Sequence, residues 1–169
     1  MELRLAREQD LPELNRMYGN IIREMNRQGI EIWDDFYPRA LFPGDIARKE
    51  LYVLEEGAEL LAAFALCRTD GGEPFVRWPQ GEKRAMFIDR FGVNIQCRNQ
   101  GIGTEALRRA GELAASFGAE VLRLFVVDIN SPAIALYEKN GFTRAEGIYH
   151  LCIDAHTTLL EYGYEKSVR

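Results

Sequence analysis

The sequence predicts an α+β fold, sandwich-like, with a mixed, mostly antiparallel twisted sheet that helices cover on both faces. One observation is a set of mostly apolar runs of strand length, of which Val121–Val127 is an example. Another is a hairpin pattern, in which Leu51–Glu55 and Leu60–Arg68 flank four turn-forming residues. A third is apolar residues at steps of three and four, which predict amphipathic helices. The length of 169 residues fits one domain over residues 1–169.

The elements before the centre of the chain follow from these patterns. The periodicity of Leu14, Met17 and Ile21 predicts a long helix. Gly71, Gly72 and Pro74 predict a loop that extends to about Arg84. In order, the predicted elements are a strand Glu2–Ala6, a helix Leu11–Gln28, a short helix Pro43–Lys49, and the hairpin strands.

The elements after this loop are predicted in the same way. Met86–Ile95 is apolar enough for a buried strand, and an amphipathic helix follows it. Before the next helix, Ser131 is the expected N-cap and Pro132 the first helical residue, whereas Gly141 follows the helix as its C-cap. Phe142–Ile153 and Thr158–Tyr164 are the expected final antiparallel pair.

Composition and charge limit the class of function. A formal net charge of −5 argues against general binding of nucleic acid, and no apolar run is long enough to span a membrane. The N-terminus lacks the pattern of a signal peptide. Cys67, Cys97 and Cys152 have no metal-ligand spacing, so we expect free thiols, no metal and a cytoplasmic protein.

A glycine-containing loop precedes the central amphipathic helix. Amides at the start of a helix have no partners inside the helix, and together with the helix dipole they form an anion site suited to phosphate. Gly101 and Gly103 let an oxygen approach the backbone closely. The loop has neither the dinucleotide nor the Walker pattern, so it fits either a pyrophosphate site without a metal or only a tight connection between the strand and the helix. Its residues are Arg98, Asn99, Gln100, Gly101, Ile102, Gly103 and Thr104.

A second motif follows the strand Val121–Val127. It consists of Asn130, a short helix with Ala133 and Tyr137, and then Asn140-Gly141-Phe142. Together with the glycine loop, this segment resembles the GCN5-related N-acetyltransferase (GNAT) superfamily over about Met86 to Phe142. The resemblance implies that acetyl-CoA is the co-substrate and that its acetyl group passes directly to an amine.

The resemblance also implies how acetyl-CoA is held. Main-chain groups of Val93 and Ile95 would bind the pantetheine arm, although both side chains also fit a core. The loop from Arg98 to Thr104 would hold the pyrophosphate. Asn130 would contact the cofactor, cap the following helix, or do both.

Two residues are the catalytic candidates. Tyr137 occupies a position where the superfamily often has a tyrosine near sulfur, and its hydroxyl would protonate or hydrogen-bond the leaving thiolate. Packing of the ring in the core is the alternative. Asp89, on the central strand, would accept the ammonium proton, whereas an ordinary ion pair is its alternative role.

The acceptor is expected to be a primary amine of a small molecule, a peptide or a protein. Trp33 and Tyr37 would pack on its carbon chain, or would instead hold their own segment against the core. A non-catalytic acyl-CoA-binding or regulatory module is the alternative function. Homodimers are common in the superfamily, but no residue of this chain requires one.

Overall fold

A computed structural model describes residues 1–168 and confirms the α+β class. Eight strands and four α-helices lie in this part of the chain. In chain order they are β1 Glu2–Leu5, α1 Leu11–Arg27, α2 Phe42–Ala47, β2 Leu51–Glu56, β3 Glu59–Cys67, β4 Ala85–Val93, α3 Ile102–Ser116, β5 Val121–Val127, α4 Ser131–Lys139, β6 Thr143–Arg144, β7 Tyr149–Cys152 and β8 Thr158–Ser167.

The strands form a sheet in the order β1-β2-β3-β4-β5-β8-β6, and β7 also pairs with β8. The pairing of β4 with β5 is parallel, whereas β2, β6, β7 and β8 pair antiparallel with their neighbours. Backbone contacts divide the chain into two compact units. The prediction of a single domain over residues 1–169 stays a prediction.

The first unit contains Met1–Leu66 and Arg90–Arg109. Leu14, Met17 and Tyr18 are buried on one face of α1, as the apolar periodicity of this helix predicts. A separate core cluster joins the hairpin strands to the start of α3; it consists of Leu54, Leu61, Ala62, Cys97, Ile102 and Ala106, with Leu3, Phe91 and Val93 packed against it.

The second unit contains Cys67–Asp89 and the residues from Ala110 on. Its central strand is β5, in which Val121, Leu122 and Leu124 are almost fully buried. A strand buried on both faces is mostly apolar, and Arg123, the charged residue of β5, is buried in a pair with Glu165. The bounds of β5 match the predicted strand.

Several predicted boundaries differ from those of the structure, and three of the differences have a clear local reason. The central strand ends at Val93 rather than Ile95, because the Asn94 side chain accepts a hydrogen bond from Gln96 N at 3.1 Å and starts a 3-10 turn. The N-cap of α4 is Asn130 rather than Ser131, since the Asn130 side chain accepts from Ala133 N. The helix consequently begins at Ser131, so Pro132 is its second residue rather than its first, and its C-cap is Asn140 rather than Gly141. The predicted strand Phe142–Ile153 is divided into β6 and β7 by a bend at Gly147, whose φ is 100°.

Within residues 1–168, no helix has both the length and the apolar character that crossing a membrane requires.

Candidate active site

The turn after β4 is fixed by a buried asparagine. Asn94 donates from Nδ2 to Leu60 O at 2.9 Å and from its backbone N to Leu61 O at 2.8 Å. The Val93 side chain packs against the core cluster of the first unit, and Ile95 begins the 3-10 turn. Any binding role of Val93 therefore falls to its main-chain groups, whereas a main-chain role of Ile95 stays a prediction.

The loop that follows leads directly into α3. Asn99 and Gly101 have φ values of 60° and 77°, which turn the chain into the helix. The bond from Glu105 N to Gly101 O, at 3.0 Å, is the first of the helical i to i+4 pattern. The amides of Ile102 and Gly103 consequently lie in a first turn, where a helix supplies no acceptor of its own. Apart from Gly101 and its two chain neighbours, no described residue has an atom within 4 Å of the place where a Cβ on Gly101 would stand.

Arg98 is half-exposed in this loop and has a partner in the same unit. Its Nη1 donates to Glu24 Oε1 at 2.7 Å. Hydrogen bonds from Arg27, Arg98 and Gln28 lower the pKa of Glu24, so this carboxylate is charged at neutral pH. Arg98 is the more exposed end of this pair, so a phosphate at the loop would compete with Glu24 for its guanidinium.

Further back along β4, the backbone departs from the extended form at Arg90, whose φ is 54°. The Tyr18 hydroxyl donates to Arg90 O and is 3.1 Å from Ala63 O. A Cβ on Gly92 would lie 2.7 Å from Tyr18 Cζ, so only glycine fits there. The Arg90 guanidinium pairs with the fully buried Asp45 of α2, with Nε 2.8 Å from Oδ2. Three separate contacts thus hold this irregular part of β4.

In the second unit, the Tyr137 side chain of α4 is buried between the rings of Phe142 and Tyr164. Burial, with a smaller contribution from the charge of Asp89, raises the pKa of Tyr137 well above its usual value. The phenol therefore stays protonated at neutral pH and keeps a proton with which it can donate a hydrogen bond.

Asp89 is partly buried on β4, and its charge also acts on Glu161 of β8. Burial and the charges of Asp70 and Asp89 raise the pKa of Glu161 to about 7. Sequence reasoning missed Glu161, because it lies in a strand with no motif. The signal was a lone acidic residue within an otherwise apolar and aromatic run, Thr158–Tyr164.

The predicted acceptor residues lie in the first unit. Trp33 stacks on Tyr18 with the ring centroids 5.6 Å apart, which favours the role of holding its own segment in place. Tyr37 is 36% exposed. The Asp34 carboxylate accepts from Phe36 N and Tyr37 N at 2.8 and 2.6 Å, and these bonds lower its pKa. Binding of an acceptor by Trp33 and Tyr37 stays a prediction.

The described residues fit the diphosphate of an acyl-CoA at the loop before α3. The first-turn amides, the open space beside Gly101 and the exchangeable Arg98 guanidinium supply donors, room and positive charge. Asn130 caps α4, and a further contact from it to the cofactor stays a prediction. Among residues 1–168, no three His, Cys, Asp or Glu side chains are grouped so that they could hold a metal ion.

The first unit thus has an open helix start with room for a diphosphate. The second unit, described by itself, has a protonated phenol and a carboxyl group with a raised pKa. The model of the acetyltransferase (GNAT) family matches residues 18–142, and the chain belongs to this family. The protein is thus an acyl-CoA-dependent N-acetyltransferase, and acetyl-CoA is the co-substrate that the family uses.

Several curated proteins are similar in sequence. A Bacillus subtilis (strain 168) protein with the name "Putative phosphinothricin acetyltransferase YwnH" is 28% identical over 147 residues, which cover 85% of each chain. The thialysine N-epsilon-acetyltransferase of Mus musculus is 36% identical over 67 residues, which cover 38% of this chain and 39% of the relative.

Solved structures share the fold at low sequence identity. A GNAT-family acetyltransferase of Streptococcus agalactiae 2603 aligns with a TM-score of 0.80 at 16% identity and covers 98% of this chain and 94% of its own. The Salmonella typhimurium protein yncA, solved with its cofactor acetyl-CoA, aligns with a TM-score of 0.66 at 15% identity over 99% and 94% of the two chains.

Proposed function

We propose that this acetyltransferase transfers the acetyl group of acetyl-CoA directly to a primary amine of a small molecule, a peptide or a protein. The observation that carries the proposal is the open start of α3, where Gly101 leaves room for a phosphate oxygen beside the amides of the first turn. The names of two relatives specify phosphinothricin and thialysine, which supports an amine as the acceptor.

The cofactor supplies an activated acetyl group as a thioester. Under the proposal, the residues from Arg98 to Thr104 bind its diphosphate, and main-chain groups of Val93 and Ile95 bind its pantetheine arm. The role of the chain is then to position the thioester and to handle protons.

The proposed role of Tyr137 is to donate a hydrogen bond to the departing sulfur. Its pKa is raised above its usual value, which already exceeds that of a thiol, so complete transfer of its proton is unfavourable. A donated hydrogen bond still stabilises negative charge on sulfur as the carbon–sulfur bond breaks.

Calorimetric titration with acetyl-CoA, followed by an amine panel assayed through release of free thiol, tests the proposed function. We expect saturable binding of acetyl-CoA and thiol release that depends on at least one amine. A protein that neither binds acetyl-CoA nor releases thiol with any amine would contradict the proposal.

Substitution of Tyr137 separates catalysis from binding. We expect Tyr137→Phe to lower kcat by about 10²-fold while the affinity for acetyl-CoA stays within about 2-fold, since only the donor to sulfur is lost. The matched control is Tyr164→Phe, which removes a neighbouring hydroxyl whose partner is Glu138 Oε1 at 2.9 Å. Equal losses of kcat and affinity in Tyr137→Phe would rule out this role.

A further inference from the structure

We propose that Glu161 is the general base that takes the proton from the acceptor's ammonium group. This inference rests on the proposed function and adds a catalytic residue to it.

The register of the second unit brings the carboxylates to one face of the sheet. Glu161 of β8 lies opposite Val127 of β5 and also opposite Tyr149 of β7. Phe87 of β4 lies opposite Arg123, which shares a face with Val127 because side chains alternate along a strand. Two residues beyond Phe87, Asp89 is on this same face. Glu161 and Asp89 are therefore on one side of the sheet, with β5 between their strands.

The loop after β3 reaches the same place and brings a third carboxylate. A Cβ on Gly72 would lie 2.7 Å from both Phe125 Cζ and Tyr149 Cδ1, so the loop passes directly over these two rings. Gly72 N donates to Asp70 Oδ1 at 2.8 Å, which fixes Asp70 at the start of this passage. The rings of Phe125 and Tyr149 meet edge to face with centroids 5.7 Å apart. A cationic amine that approaches these carboxylates would meet negative charge, which attracts it.

Glu161 is partly buried, and among the described residues its carboxylate has no hydrogen-bond donor and no basic partner. The titratable groups that act on it are Asp70 from the loop, Asp89 from β4 and Tyr149 from β7, while β5 presents Val127. Its raised pKa, about 7, gives a carboxylate that is ionised in substantial part at neutral pH and is far more basic than an exposed one. This is the property that proton removal from an ammonium group requires.

The proposed reaction removes two protons from the acceptor nitrogen and transfers the acetyl group to it. First, an N–H bond of the ammonium breaks, and its proton binds a carboxylate oxygen of Glu161. The electron pair left on nitrogen forms the N–C bond to the acetyl carbonyl carbon, while the C–S bond breaks and its pair goes to sulfur. A second proton from nitrogen ends on sulfur as free thiol, and Glu161 releases the first proton to water.

The test is the pH profile of kcat/KM for an amine that the wild type acetylates. We expect the wild-type rate to rise with pH through an apparent pKa near 7, the value of Glu161. Glu161→Gln should lose this rise and lower kcat/KM at pH 8 by about 10²-fold. The matched control is Glu146→Gln, which removes an equal charge from an exposed ion pair with Arg77 in the same unit and should keep the wild-type profile.

Neighbouring charges provide a second readout that a purely structural role would not give. Asp70→Asn and Asp89→Asn each remove a negative charge that raises the pKa of Glu161. In each variant, kcat/KM should still increase with pH, but the increase should occur at lower pH than in the wild type. Carbon-13 NMR titration of glutamate carboxyls should show a signal with a pKa near 7 that disappears in Glu161→Gln.

Three results would overturn the inference. One is a wild-type pH profile in Glu161→Gln, which leaves the proposed function intact. Another is an Asp89→Asn variant in which kcat/KM no longer increases with pH, instead of increasing at lower pH, because the base would then be Asp89. The third is a wild type that transfers acetyl to no amine, which removes the proposed function as well.

Discussion

Tyr18 shows at the scale of one residue how this chain fixes an irregular backbone. Its side chain is completely buried, and its hydroxyl is close to two carbonyl oxygens that belong to different strands, Ala63 O and Arg90 O. The ring meanwhile fills the space above Gly92. One phenol therefore provides both the packing and the polar contact that the left-handed residue in β4 requires.

We expect Tyr18→Phe to lower the free energy of unfolding by about 1–3 kcal/mol, because buried carbonyl oxygens lose a donor that water cannot replace. Denaturation in urea measures the change. Tyr52→Phe is the matched control, because Tyr52 is also buried and its hydroxyl makes no hydrogen bond within residues 1–168. A Tyr18→Phe loss no larger than that of Tyr52→Phe would show that the hydroxyl contributes nothing.

At the scale of elements, the loop before α3 and the hairpin turn between β2 and β3 offer a matched comparison. Gly101 and Gly57 have similar φ values, 77° and 62°, and apart from each glycine and its two chain neighbours no described residue has an atom within 4 Å of a Cβ on either. An alanine therefore has the same backbone cost at both positions, about 1–2 kcal/mol. Only Gly101 lies at the proposed phosphate site.

We expect Gly101→Ala to weaken acetyl-CoA binding by about 10-fold, since its Cβ occupies the space of a phosphate oxygen. Gly57→Ala should lose similar stability and keep its affinity. Calorimetric titration of both variants gives the comparison, and equal affinities would place the diphosphate elsewhere.

The short helix α2 is attached to β4 through one buried carboxylate, that of Asp45. Asp45 accepts from Arg48 Nη2 at 2.6 Å and pairs with Arg90 of β4, so this helix is tied to the irregular part of that strand. Asp45→Asn leaves the Arg90 charge buried without an opposite charge, and we expect a loss of about 3–5 kcal/mol in thermal or urea unfolding.

The control for Asp45 is Asp35→Asn, which removes a fully exposed partner of Arg39 and should cost about 0–1 kcal/mol. Similar losses in the two variants would show that the buried pair has no special weight in stability.

At the scale of the whole molecule, the ionisation of Glu161 makes stability depend on pH. Its folded-state pKa, about 7, lies above its ordinary value of 4.5, so the folded chain binds this proton more tightly than the unfolded chain does. The destabilisation is therefore absent below about pH 4.5, grows between the two values and is complete above about pH 7.

We expect Glu161→Gln to be more stable than the wild type at pH 8 by roughly 1–3 kcal/mol and to lose this advantage at pH 4. Urea unfolding at both pH values measures it. A difference between the two proteins that is independent of pH would show that Glu161 has an ordinary pKa. Loss of activity together with a gain in stability is typical of a residue kept for function.

Local patterns predicted much of the fold. The mostly apolar run Val121–Val127 predicted the observed bounds of β5, and the periodicity near Leu14 predicted α1. Both predictions succeeded because the burial of a strand or of one helix face produces a regular pattern of apolar residues within a short segment. The error at Ser131 arose because Asn130 and Ser131 are both good caps, and only the backbone geometry selects between them.

The sequence by itself determined the strand, the glycine loop and the helix that follow one another around residue 100, since each depends on the pattern of neighbouring residues. Only the tertiary structure decided the contacts of Tyr18 with Arg90 and of Asp45 with Arg90. The first pair is separated by 72 positions in the sequence and the second by 45. The same holds for Glu161, whose acidity depends on Asp70 and Asp89 from other elements. Burial and the fields of distant charges arise only when strands pair, and no local pattern encodes them.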